Sequence, residues 1–183
     1  MPDDDALAAL VTRAQRGEPA AFEALARRFL RPAYAVALPI VKRPSDAEDV
    51  AQEALIIACE RVDTCREPAR FGAWLFQIVR NHARNWLARR RLRDVGAEPA
   101  AREQLDTGPA PDAHAFRSQL LAALQELGEA QQQVVLLHDL DGWTHQEIAD
   151  ALGISVVMSR QHLFQARQRL RAGFAPNAAG ARS

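Results

Sequence analysis

Three groups of residues in this 183-residue chain have the types and spacing to act on a charged polymer or a charged partner. The first is the run Asp46-Ala47-Glu48-Asp49-Val50-Ala51-Gln52-Glu53. Asp46, Glu48, Asp49, Gln52 and Glu53 gather carboxylates on about two turns of a helix, a cluster suited to a basic partner. The same acids also serve the first turn of a helix, beside the positive end of its dipole. The second group is Arg80, Asn81, Arg84 and Asn85, recurring at i, i+1, i+4 and i+5 near Trp74 and Trp86. Cationic and amide groups beside aromatics can follow a phosphate backbone and hold unstacked bases. Phe71, Trp74 and Ile78 nevertheless read as core.

The third group is the run Thr144 to Ser155, which has the mechanics of a helix-turn-helix. Thr144 with Glu147 three residues later forms a capping box, and Gly153 supplies a positive-φ turn. Ser155 caps the next helix, and Ala149 allows close approach while Ile148, Leu152, Ile154 and Leu163 fill the corner. The helix that follows offers Met158, Ser159, Arg160, Gln161, His162, Gln165 and Arg167 to base edges and phosphates in the major groove.

Charge supports the same reading. The formal net charge is zero, but it alternates along the chain: residues 1–67 sum to −3, 68–93 to +7, 94–153 to −9 and 154–183 to +5. The second and fourth stretches contain no acid. A solvated helix face usually mixes signs, whereas one-signed basic stretches are the electrostatic footprint of a phosphate-binding surface. Two separate basic surfaces are implied, and the acidic stretch between them could fold back to mask them.

The elements that must position these groups are helices. Alanine, leucine, arginine and glutamine dominate and period-two alternation is nearly absent, so the fold class is all-α. Helices are expected at about 4–16, 20–38 with a kink or split at Pro32, 45–62 with Ser45 as N-cap, and 70–91. In the C-terminal part they are expected at 116–125, 128–139, 145–152 and 156–171. Residues 94–115 turn to Gly, Pro, Ala and acid without periodicity, as a flexible tether does. Two small helical domains follow, 1–93 and 116–172, with a frayed tail at 173–183. Cys59 and Cys65 lack CxxC spacing and read as ordinary thiols, and no metal or other cofactor is called for. No apolar run is long enough to span a membrane, and the acidic start at Asp3 to Asp5 is unlike a secretion signal, so a cytoplasmic location without membrane insertion is expected.

The ordered set of Asp46–Glu53, the run Phe71-Gly72-Ala73-Trp74-Leu75-Phe76-Gln77-Ile78-Val79-Arg80-Asn81, an acidic tether and then the helix-turn-helix resembles the extracytoplasmic-function group of bacterial RNA polymerase sigma factors. The resemblance covers about residues 5–93 and 116–172. It implies a non-enzymatic transcription factor whose partners are core RNA polymerase, promoter DNA and an anti-sigma protein that holds it inactive. Asp46, Glu48, Asp49, Gln52 and Glu53 would then dock on the clamp helices of core polymerase. Arg80, Asn81, Arg84 and Asn85, with Arg66 and Arg70 from the loop at 64–70, would melt the minus-ten element and capture a flipped base. Thr144, Ser155, Met158, Arg160, Gln161, His162, Phe164, Gln165 and Arg167 would serve the minus-thirty-five element. The recognition helix departs from the family pattern, in which a Gly-Thr-Val-Lys-Ser-Arg-like stretch is usual. Val157, Met158, Ser159, Arg160, Gln161 and His162 occupy those positions, and only Arg160 keeps the expected type. Gln165 stands where arginine is common, and Asn85 where an acid is frequent.

Two other classes fit parts of the pattern. A conventional helix-turn-helix regulator would bind duplex DNA alone and use its N-terminal half to dimerise or sense a ligand. A metal-dependent phosphohydrolase is suggested only by the pair His138-Asp139, for which the chain offers no convincing further ligands.

Overall fold

The computed structural model describes residues 2–94 and 111–174. Among these residues every regular element is helical. The N-terminal half comprises α1 (Pro2–Gln15), α2 (Pro19–Val41), α3 (Pro44–Glu60) and α4 (Phe71–Asp94), with short 3₁₀ turns at Val62–Thr64 and Pro68–Arg70. The C-terminal half comprises α5 (Pro111–Gln125), α6 (Glu129–Val135), α7 (His145–Leu152) and α8 (Val156–Phe174). The expected tether overlaps the ends of α4 and α5, and the part of it at 95–110 lies outside the described residues, as does the tail from 175 onward.

Helix α2 forms the centre of the N-terminal half and runs unbroken through Pro32 and Pro39. A proline inside a helix costs about 3 kcal/mol. Here that cost is offset because α2 buries one long face, with Leu25, Phe29, Ala33, Val36 and Val41 all inside. Full burial of residues such as Leu25 and Phe29 stabilises by about 2–3 kcal/mol each. The split that Pro32 could have caused is therefore overridden by packing. Helix α3 begins two residues earlier than a Ser45 cap would place it. Arg43 is the extended N-cap and Pro44 the first helical residue, so proline's fixed φ, rather than a Ser45 cap, sets the start.

The second unexpected feature is at the end of α6. An α-helix to residue 139 was expected, but α6 gives way at Leu136–Leu140 to a π turn. The wider turn carries one additional residue per hydrogen-bonded ring and redirects the side chains beyond it. His138 and Asp139 are thereby aimed at the helix-turn-helix. Asp139 accepts from Arg167 Nε at 3.1 Å, so the acid of the His138-Asp139 pair is engaged by an arginine.

The two halves share one continuous apolar core. Trp143, in the turn before α7, inserts between aromatics of the N-terminal half. Its ring stacks on Phe76 with centroids 5.5 Å apart and meets Phe29 edge-on at 6.0 Å. Gly72 at the start of α4 makes room: a Cβ there would stand 3.3 Å from the Phe29 ring and 3.6 Å from Trp143. Polar contacts frame this joint. Gln133 Nε2 donates to Val36 O at 3.3 Å, Gln125 Nε2 to Lys42 O at 3.0 Å, and Arg31 pairs with Asp141 at 3.1 Å.

Candidate nucleic-acid interface and docking face

The acidic cluster lies on α3. Val50, Ala51, Ala54 and Ala58 face the core, which leaves Glu48, Asp49, Gln52 and Glu53 exposed on the opposite side. The cluster is not a simple free patch. Asp46 is ion-paired with Arg90, and Glu53 Oε2 is 2.7 Å from His82 Nε2. Both partners lie on α4, so two of the four acids fasten α3 to the helix bearing the basic strip. Exposed Ile56 continues the outward face one turn farther, at 60 % exposure. Sequence spacing did not reveal Ile56, because its core neighbours Leu55 and Ala58 make the whole turn look internal.

The basic strip lies on α4. Phe71, Leu75, Phe76, Val79 and Ala83 are buried, and Gln77, Asn81, Arg84 and Asn85 are exposed. Gln77 Nε2 donates to Asn81 Oδ1 at 3.2 Å, aligning two amides along the surface. Arg80 differs from its neighbours because it is half-buried. Burial pulls its pKa below the ordinary arginine value and Arg84 does the same, while Glu129 at the start of α6 opposes them. An acid of the C-terminal half therefore lies within electrostatic reach of the strip. The expected masking by tether acids falls mostly on residues outside those described. Arg66 and Arg70 are exposed at one end of α4, Arg70 lying 3.6 Å from Glu67. Trp74 packs on Phe71 at 5.4 Å and belongs to the core wall. Trp86 is partly buried beside His82, and its Nε1 is buried without a protein partner. At the joint, a cleft of about 640 Å³ is walled by Arg28, Arg31, Arg70, Asp141, Trp143 and Glu147.

The helix-turn-helix has the capping expected of it. Thr144 Oγ1 accepts from the Glu147 backbone N–H at 3.2 Å, and Glu147 Oε2 accepts from Thr144 N at 2.7 Å. Gly153 sits at φ +70°, and Ser155 Oγ accepts from Met158 N at 3.1 Å. Ile148 and Leu163 are buried at the corner, with Ala149 at 4 % exposure where α7 meets α8.

Several α8 residues offered to DNA on sequence grounds are instead engaged within the fold. Ser159 is fully buried and its Oγ is 2.9 Å from His145 Nδ1. Gln165 Oε1 accepts from Gln131 Nε2 at 2.8 Å. Arg167 holds Asp139, whose pKa is lowered chiefly by that hydrogen bond. His162 is half-buried with Nδ1 enclosed and unpaired. Arg160 and Gln161 remain exposed, as do Met158 and Phe164. Val157, which was not among the residues offered to DNA on sequence grounds, is 71 % exposed. His145 lies 4.8 Å from His138, ring to ring. Burial lowers its pKa first, followed by the charges of His138, Arg160 and Arg167.

Among the described residues, no group of three or more His, Cys, Asp or Glu could hold a metal ion, and no helix is long and apolar enough to cross a membrane. Cys59 is exposed and Cys65 buried, and burial raises the Cys65 thiol.

Comparison with known proteins gives matching results for both halves. The family model "Sigma-70 region 2" matches residues 25–93, and "Sigma-70, region 4" matches 117–170. The RNA polymerase sigma-H factor of Pseudomonas aeruginosa is 30% identical over 173 residues, covering 88% of this chain and 90% of that protein. The ECF RNA polymerase sigma-E factor of Escherichia coli is 31% identical over 176 residues, with 88% and 90% covered. A probable RNA polymerase sigma factor, RfaY of Xanthomonas campestris, is 34% identical over 144 residues, but the chain spans only 36% of that longer protein. Among solved structures, CnrH in complex with the cytosolic domain of CnrY superposes with a TM-score of 0.65 at 25% identity, covering 91% of this chain and 96% of that one. The sigma factor RpoE in complex with the anti-sigma factor NepR from Bartonella quintana shares the fold, with a TM-score of 0.62 at 22% identity over 83% of this chain and 95% of that one.

Proposed function

Because this chain belongs to the extracytoplasmic-function group of RNA polymerase sigma factors, we propose that α3 carries it onto core polymerase while α4 and α8 divide the reading of promoter DNA. It binds core RNA polymerase and directs promoter recognition and transcription initiation. Its residues supply binding and strand separation rather than bond chemistry, and it works in the cytoplasm, where polymerase and DNA are.

The exposed α3 face of Glu48, Asp49, Gln52 and Glu53 docks on a basic helical surface of core polymerase. On α4, Arg80, Asn81, Arg84 and Asn85, with Arg66 and Arg70, meet the minus-ten element and hold its displaced strand. Unstacking and flipping a base costs a few kcal/mol, which amide hydrogen bonds and cationic contacts must offset. Helix α8 enters the major groove at the minus-thirty-five element.

The observation that carries this reading is the pair of basic stretches without acid, residues 68–93 on α4 and 154–183 on and beyond α8, together with the exposed acidic face of α3. Geometry adds a requirement. The two elements lie about 85 Å apart on B-form DNA, at about 34 Å per ten base pairs. A folded chain of this length is only about 40 Å across, from a radius of gyration near 16 Å. The Trp143 joint must therefore open when the protein spans both elements. An anti-sigma protein can act by holding the halves closed.

The test is polymerase dependence. Purified protein alone should bind promoter duplex weakly, and adding core polymerase should give specific run-off transcription from a promoter library. Tight binding to a palindromic duplex as a dimer without polymerase would establish the conventional regulator instead.

A further inference from the structure

The outward side of α8 carries large apolar residues among its arginines, where a DNA-reading helix is usually polar throughout. Its inward face is set by Ser159, Leu163 and Ala166, all buried. On the opposite face lie Val157 at 71 % and Phe164 at 69 % exposure, with Met158 at 45 % on the flank of the first turn. A single exposed apolar residue is ordinary, but these three share the first turns of one helix. The polar side chains that could have read bases by hydrogen bonding are turned to other partners: Ser159 to His145, Gln165 to Gln131 and Arg167 to Asp139. Arg160 and Gln161 are the exposed polar groups left within this apolar stretch.

The charge around the face identifies its occupant. No acid occurs between residues 154 and 183, and Phe164 lines a groove of about 440 Å³ together with Arg160, Arg167 and Arg171. A polyanion fits that setting, whereas an apolar protein surface would have to bury several arginines. On a duplex, the major groove offers one apolar feature on its base edges, the 5-methyl group of thymine.

From these observations we infer that Val157, Met158 and Phe164 select thymine by its methyl group, with Arg160 and Gln161 fixing register on neighbouring bases and phosphates. This rests on the assignment of α8 to the minus-thirty-five element. Promoter choice is then set by methyl contacts that a recognition helix with Gly and Thr at positions 157 and 158 would lack.

The test uses holoenzyme, made from the full chain and core polymerase, and a duplex library randomised only across the minus-thirty-five element. Selected duplexes are resynthesised with uracil replacing each thymine in turn, which keeps base pairing and removes only the methyl. The selected element should be rich in thymine. Uracil at one to three positions should weaken promoter binding about fourfold each, the worth of one buried methyl. V157G with M158T should make thymine and uracil equivalent at the positions facing them. If uracil and thymine are equivalent everywhere in an element that transcription still requires, methyl reading is overturned while the role of α8 stands. If randomising the element changes nothing, the assignment of α8 itself fails. If V157S, M158S and F164S together keep thymine selection but lose core-polymerase binding, the face is a protein contact and the inference is also overturned.

Discussion

The two basic helices differ in what lies behind and over them. Helix α4 has its strip at the joint between the halves: Arg80 is half-buried, Glu129 reaches it electrostatically, and Trp143 is wedged against Phe76 near its start. Helix α8 is held from behind by α6 and α7, and Val157, Arg160, Gln161 and Phe164 stay open to solvent. The surface proposed to separate strands is thus restrained by the joint, and the surface proposed to read intact duplex is not. A strand-melting surface left open would bind any single strand. A duplex reader with few hydrogen-bonding groups remains weak alone and carries less of that risk.

The largest effect should come from α4. Arg80→Ala with Arg84→Ala should lower promoter opening by holoenzyme at least about tenfold, measured by permanganate footprinting, while closed-complex binding changes little. Arg160→Ala on α8 should do the reverse, weakening closed-complex binding and reducing its salt dependence by about one charge. Equal effects of both on both steps would remove the distinction.

A middle-sized effect is expected at the joint. Trp143→Ala removes a half-buried aromatic worth about 2 kcal/mol here, below the range for a fully buried ring. The open form should rise up to about thirtyfold by that energy. Polymerase-free binding of a single-stranded minus-ten oligonucleotide should increase, with duplex binding through α8 unchanged. No increase would mean that the joint does not restrain α4.

The smallest effect concerns α8. His145 holds Ser159 and has a depressed pKa, so its neutral form is the folded one. Stability from this group is present above the unfolded histidine pKa near 6.5 and is lost as pH falls through the lower folded value. His138, Arg160 and Arg167 face the same ring, and their charges act in the same direction. The thermal midpoint should therefore fall by about 2–4 °C between pH 7.5 and 5.5. His145→Gln should flatten that dependence, and a dependence unchanged by the substitution would assign it elsewhere.

Local chemistry was legible in the sequence wherever it rested on nearby residues. Thr144 with Glu147, Gly153 and Ser155 fixed the helix-turn-helix, because caps and positive-φ turns are set within a few positions. Non-local pairing was not legible. Asp46 with Arg90 and Glu53 with His82 lie 44 and 29 residues apart, so the acids that tie α3 to α4 could not be recognised by spacing. Trp143 sits in a turn, without periodicity to mark it as core, and its socket depends on the missing side chain of Gly72. Pro32 does not split α2, because its local cost is offset by burial that only the assembled core supplies. On α8 the residue types were readable but their directions were not. Gln165 and Arg167 were offered to DNA and are engaged by Gln131 and Asp139.

Locking the joint tests the division of labour most directly. A Cβ on Gly72 would lie 3.8 Å from that of Ala151, within the range a disulfide spans. Gly72→Cys with Ala151→Cys, in a Cys59→Ala background, should tie the start of α4 to α7. Run-off transcription with core polymerase should be lost in the oxidised protein and restored by reduction. An oxidised, cross-linked protein that transcribes at the rate of its reduced form would contradict the requirement that the halves separate.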